Sequence, residues 1–161
     1  MELWIQNKLF SLRGHSTVKD ADGKDWLKIR GKLFTITHKK FVYDLNDKLL
    51  YKVRLKFFHV LPTALIYDAN GEKVAAIKKK FSINQGFIIQ GYKDQIRIDG
   101  NFIGWNFKVY KNDKLIGSIN RQVSWTDTFV LHIEDEGEYA FFVALVIAID
   151  NIYDHKQGSK N

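Results

Sequence analysis

The sequence predicts an all-β domain with one helix: a closed antiparallel barrel of about 12 strands around a central hydrophobic C-terminal α-helix. Three observations predict it. Strand–turn–strand units recur about every 25 residues. The strands that follow the turns alternate apolar and charged residues. The chain then ends in an apolar stretch without a polar stripe, and a helix of that kind has to be surrounded.

The first unit runs Thr17 to Gly23 and then Trp26 to Phe34; the second, Phe41 to Lys48 and then Leu50 to Phe57. The third runs Leu65 to Glu72 and then Val74 to Phe81, and a looser fourth Lys108 to Lys114 and then Leu115 to Arg121. Their turns hold Asp22-Gly23, Asn46-Asp47, Asn70-Gly71 and Asn112-Asp113. These residue types accept the positive φ of tight hairpins. After the turns, Leu27, Ile29 and Leu33 oppose Lys28, Arg30 and Lys32, and Val53, Leu55 and Phe57 oppose Lys52, Arg54 and Lys56. Period two with one charged side means a sheet wet on one face. Adjacent hairpins of this sort make a meander. Further strands are expected near residues 3–10, 87–91, 94–99, 101–110 and 127–134. So many antiparallel strands either close or split into two sheets.

The last element decides for closure. Tyr139 to Ile149 is an uncharged apolar run, preceded by Asp135 and Glu138 at capping-box spacing and followed by His155 and Lys156, as the helix dipole favours. A helix of about 17 residues, about 25 Å long, needs a barrel wide enough to hold it. A membrane span needs roughly 20 apolar residues, so the run reads as a core segment and no transmembrane span is expected.

Bulk composition agrees with one domain over 1–156 and a loose tail over 157–161. The 161 residues suit a single domain and are 45% apolar, with one proline, Pro62. There is no cysteine, which excludes disulfides and thiolate metal sites and fits a reducing, cytoplasmic setting. The N-terminus lacks the apolar core of a signal peptide. The net charge is +7, with residues 1–121 at +12 and residues 122–161 at −5.

The hairpins, the stretch Tyr92 to Gly104, and Ser124-Trp125-Thr126-Asp127-Thr128-Phe129 before an acidic turn and hydrophobic helix resemble the LURP-one-related proteins. The resemblance covers about residues 2–154 and rests on the ordered succession. It implies the tubby C-terminal-like fold, a 12-stranded barrel around a C-terminal helix, with phospholipid scramblases as distant relatives. Functionally it implies little: tubby domains bind phosphoinositides through basic surface residues, and no such motif is matched here residue by residue. Scramblases also carry a cysteine-rich segment and a calcium-binding segment. This chain has neither, which argues against scramblase activity.

No catalytic machinery is legible. His15, His38, His59, His132 and His155 are scattered, without His-x-His or His-Glu-x-x-His spacing. There is no Gly-x-Ser-x-Gly elbow, no Walker A and no Gly-x-Gly-x-x-Gly; Ser118 reads as a small packing residue, and Gly86, Gly91, Gly100 and Gly104 as strand ends and bulges. Asp20 with Asp22, and Asp44 with Asp47, are explained by turn chemistry, and Asp135, Glu136 and Glu138 by helix capping. No metal and no cofactor is expected.

The basic stripes remain. Lys28, Arg30 and Lys32, then Lys52, Arg54 and Lys56, then Lys78 and Lys80 fall at equivalent repeat positions. If their strands were neighbours they would form one cationic face for anionic headgroups. The same stripes are what a solvated strand face displays. Nucleic acid is not expected: single-strand binders expose aromatics among the basic residues, whereas Phe34 and Phe57 fall on the inward side, with Tyr51 and Trp26 ambiguous. The sequence assigns no activity. It favours a non-enzymatic binding or scaffold module for phosphoinositide or another anionic phospholipid, cytoplasmic and peripheral at the membrane. A protein–protein adaptor and an enzyme with a hidden site are the alternatives.

Overall fold

The computed structural model describes residues 1–6, 14–31, 38–56, 62–80, 86–122 and 128–158, with side chains to Asp154. Within them lie β1 (Glu2–Gln6), β2 (His15–Asp20), β3 (Asp25–Gly31), β4 (Lys40–Tyr43), β5 (Leu49–Lys56) and β6 (Thr63–Asp68). Then come β7 (Lys73–Lys79), β8 (Gly86–Gln90), β9 (Ile96–Asn101), β10 (Asn106–Lys111), β11 (Lys114–Gln122) and β12 (Thr128–Ile133). Each strand pairs antiparallel with the next, and β1 pairs with β12 to close the barrel. A 3₁₀ turn (Glu136–Glu138) leads into α1 (Tyr139–Gly158).

The helix lies inside the barrel. Every side chain from Phe141 to Asn151 is buried, as is Ile152. Around it stand the inward residues of the strands, among them Leu3, Val18, Leu27, Val53, Ile77 and Phe107. A large apolar side chain contributes about 1.5–3 kcal/mol on full burial, so this layered core is the main stabilising term.

The repeat has a mechanical cause. Asp20, Asp44 and Asp68, spaced by 24, each begin a turn. In each, one carboxylate oxygen accepts from the backbone N–H two and four residues on, at 2.9–3.0 Å. Gly23, Asp47 and Gly71 supply the positive φ that completes each turn. Past each turn one extra residue breaks the pairing register. Trp26, Leu50 and Val74 are those residues, and Ile116 is its counterpart in the fourth hairpin. All four are apolar and pack against the core. The bulges therefore turn an apolar side chain inward at the turn-bearing end of the barrel.

Several expectations are corrected. Asp135 does not form a capping box with Glu138: its carboxylate accepts from Gly137 N–H at 3.2 Å, opening the 3₁₀ turn, while Glu138 reaches across the barrel end. The strand expected from residue 101 begins at Asn106, because residues 101–105 turn to drive Phe102 and Trp105 inward. The helix extends to Gly158, so 157 and 158, expected as tail, belong to it. Tyr51 faces in, against Phe141, and Trp26 sits at the rim against Tyr139 with its indole N–H donating to Asp20. Leu33, Phe34, Phe57 and the segment 123–127 lie outside the described residues. Where β11 crosses β12, a Cβ on Gly117 would overlap the carbonyl oxygen of His132, so only glycine fits there.

Candidate functional site

The cationic strands are not neighbours. Lys28 and Arg30 lie on β3, Lys52, Arg54 and Lys56 on β5, and Lys78 on β7; β4 and β6 run between them. Lys80 follows β7, and Lys32 lies outside the described residues. The intervening strands present aromatic and aliphatic residues outward. Arg30 lies over the Tyr43 ring at 4.7 Å, and Lys52 and Arg54 over Tyr67 at 5.2 and 5.1 Å. The outer face is therefore alternately cationic and aromatic, and cation–π contact holds the two together.

Most of the predicted cations are engaged. Lys28 and Arg30 both pair with Asp47, at 3.1 and 2.5 Å. The Lys28 hydrogen bond, against slight desolvation and with both positive charges near, holds the Asp47 carboxyl below its ordinary value. Arg54 donates to the Tyr67 hydroxyl at 2.7 Å. Lys80 pairs with Asp99 at 2.6 Å, and its burial and the nearby Arg97 charge lower its pKa.

Lys56 and Lys78 are different. They flank Thr63 in register, one on each side. The next rung outward carries Leu65 and Ala76, with Gln90 beyond. Together with Lys73 and Gly91 these residues line a groove of about 270 Å³. The groove is concave because short side chains (Thr63, Ala76, Gly91) sit between long ones. No carboxylate lines it. Among the described residues none pairs with Lys56, Lys73 or Lys78. An uncompensated cationic hollow of this kind attracts a compact anion such as a phosphate group.

Lys73 was not legible as part of the stripe. Period two places it on the inner side with Ala75 and Ile77. The bulge at Val74 reverses that parity and sets Lys73 opposite Tyr67 on the outside. The signal was the apolar residue at the start of each post-turn strand, which marks the bulge in every copy.

A second cluster lies at the helix C-terminal end. Asp150 is buried and pairs with Lys40 at 3.3 Å. Burial raises its carboxyl to about 6, with the Lys40 charge opposing and Asp154 assisting. It borders a cavity of about 20 Å³, otherwise lined mainly by apolar side chains and large enough for a single water. His132 pairs with Glu2 at 2.8 Å. Among the described residues no three His, Asp or Glu side chains converge as a metal would need. Among them, too, no helix is long and apolar enough to cross a membrane.

Comparison with known proteins agrees with this architecture. A solved X-ray structure of an Arabidopsis thaliana protein superposes with a TM-score of 0.63 at 14% identity, covering 94% of this chain and 91% of that one. At that identity the likeness speaks for the fold alone. Comparison with the curated proteins finds no match. The LURP-one-related family model matches residues 1–150, all twelve strands, the groove and the first part of the helix, and the protein therefore belongs to the LURP-one-related family.

Proposed function

We propose that this protein is a non-enzymatic binding module whose outer groove takes the phosphate-bearing headgroup of an anionic phospholipid, a phosphoinositide among them. The observation that carries the reading is the groove of Lys56, Lys73 and Lys78, three cations without a carboxylate partner among the described residues. Lys28, Arg30 and Lys80 spend their charge on Asp47 and Asp99. Each unpaired lysine near an anionic surface contributes about 1 kcal/mol. Three such residues favour a headgroup with several phosphates over a single free phosphate. The non-enzymatic reading is supported by the interior, where the helix fills the space that a barrel enzyme would give to substrate.

Co-sedimentation with vesicles at low salt tests it. Binding is expected to phosphoinositide-containing vesicles and not to phosphatidylcholine alone, and to fall at least tenfold in the Lys56→Glu/Lys78→Glu protein. Soluble inositol hexakisphosphate should compete. Equal partitioning onto neutral and anionic vesicles would discard the reading, and undiminished binding by the double variant would discard the site.

A further inference from the structure

The barrel sorts its charge along its axis. The tight turns after β2, β4, β6, β8 and β10, together with the link into the helix, lie at one end: residues 20–25, 44–48, 68–73, 91–95, 111–114 and 134–138. These segments hold thirteen of the chain's 18 acidic residues and only six basic ones. The described strand ends and connections at the opposite end carry lysines 39, 40, 56 and 78–80 and Arg121, against Asp99, Asp150 and Asp154. Among the described residues the fold is thus a charge dipole, acidic at the end that bears these turns and basic at the other.

At the basic end the β9–β10 hairpin holds out Ile103, which is 93% exposed; the other exposed large apolar side chains among the described residues are at 44–46%. This exposure is built in. On either side of Ile103 the chain turns inward. Phe102 packs against Phe87, Phe107 and Tyr153, and Trp105 packs against Phe129 and Tyr153. Asn101 closes the turn on itself by accepting from Gly104 N–H at 3.0 Å. Trp105 accepts from Arg121 N–H at 3.1 Å through its carbonyl. Cations flank the tip: Lys79 Nζ lies 5.3 Å from the Phe102 ring and the Arg121 guanidinium 5.0 Å from Trp105. A rigid hairpin presenting one aliphatic side chain amid basic residues, on the positive end of a molecular dipole, matches the layering of an anionic bilayer, phosphates outside and hydrocarbon within.

We infer that the protein docks this end on an anionic bilayer, Ile103 entering the boundary between headgroups and acyl chains while the acidic turns face away. The inference rests on the lipid reading above for its choice of surface, and adds the orientation and the inserting residue.

The cysteine-free chain allows a clean test. Ile103→Cys and Asp22→Cys are each labelled with an environment-sensitive fluorophore and mixed with phosphatidylcholine vesicles, with and without phosphatidylserine. With phosphatidylserine the label at 103 should shift to the blue and be quenched by nitroxide lipids, while the label at 22 stays aqueous. Ile103→Ser should weaken vesicle binding about tenfold, the loss expected from one large aliphatic side chain, and leave inositol hexakisphosphate binding unchanged. An aqueous label at 103 on vesicle-bound protein, insertion at 22, or no binding to either vesicle would overturn the inference. Loss of inositol hexakisphosphate binding with insertion at 103 retained would sink the groove and leave the docking end standing.

Discussion

The ring of Tyr92 lies flat on that of Phe141, with centroids 3.7 Å apart and planes 9° from parallel. Its hydroxyl donates to Glu138 at 2.8 Å. Glu138 also accepts from Lys111 at 2.7 Å and pairs with Lys93. Lys111 reaches on to Asp135 and Asp94, at 2.9 and 3.2 Å. This network ties the start of the buried helix to the turns on either side of β9 and β10. Burial alone would raise the Glu138 carboxyl, but the bonds from Lys111, Lys93 and Tyr92 outweigh it and bring it to about 2. Burial and then the Glu138 contact push the Tyr92 hydroxyl well up.

Tyr92→Phe keeps the stack and removes one hydrogen bond to a charged group, so it should cost about 1–2 kcal/mol in urea unfolding. Tyr92→Ala also loses the ring and should cost about 3–4 kcal/mol. Equal losses in the two variants would mean that the stack contributes nothing.

The two perturbed carboxylates act on stability with opposite signs. Glu138 has its folded pKa lowered from an ordinary value of 4.5 to about 2, so its contribution is present above pH 4.5 and is lost as pH falls toward 2. Asp150 has its folded pKa raised from 3.8 to about 6, so its contribution is present below pH 3.8 and is lost as pH rises through 6. Urea midpoints followed against pH should show the acid limb flattened in Glu138→Gln and the limb between 4 and 6 flattened in Asp150→Asn. An unaltered profile in either variant would contradict the assigned shift.

Asp68→Ala removes the oxygen that closes the third turn and should cost about 1–2 kcal/mol, two modest backbone hydrogen bonds. Asp44→Ala should behave alike, since the two turns share their bonding. Thermal melts of both variants check this; a neutral outcome at either site would mean that the repeat is not a mechanical one.

Leu145 is wholly buried in the middle of the helix. Leu145→Ala should cost about 2–5 kcal/mol through the cavity it leaves. Leu145→Asp should yield no soluble folded protein, because an unpaired buried charge costs several kcal/mol against a total of about 5–15. Native-like circular dichroism from Leu145→Asp would show that this face of the helix is not enclosed.

The fold was legible because its causes are local and repeated. Asp20, Asp44 and Asp68 announce their turns by type and spacing, and Phe141 to Ile149 announces a surrounded helix by having no polar face. What was not legible depends on pairing between distant segments. Lys28, Arg30, Lys52, Arg54, Lys56 and Lys78 read as one stripe because a repeat aligns them in sequence, yet β4 and β6 separate their strands. Asp47 neutralises Lys28 and Arg30 from 19 and 17 residues away, which no alternation reveals. Glu138 looked like a capping residue because its true partners, Tyr92 and Lys111, are 46 and 27 residues distant. The split of charge between the first 121 residues and the rest concealed the sorting that matters, which runs along the barrel axis.

The most direct measurement of where the ligand sits is a titration of isotopically labelled protein with inositol hexakisphosphate, followed by amide chemical shifts. The groove account expects the largest changes at Lys56, Thr63, Lys78, Gln90 and Gly91, and little at Lys28 and Arg30. Changes centred on Lys28, Arg30 and Asp47, or saturation without change around Thr63 and Gln90, would contradict it.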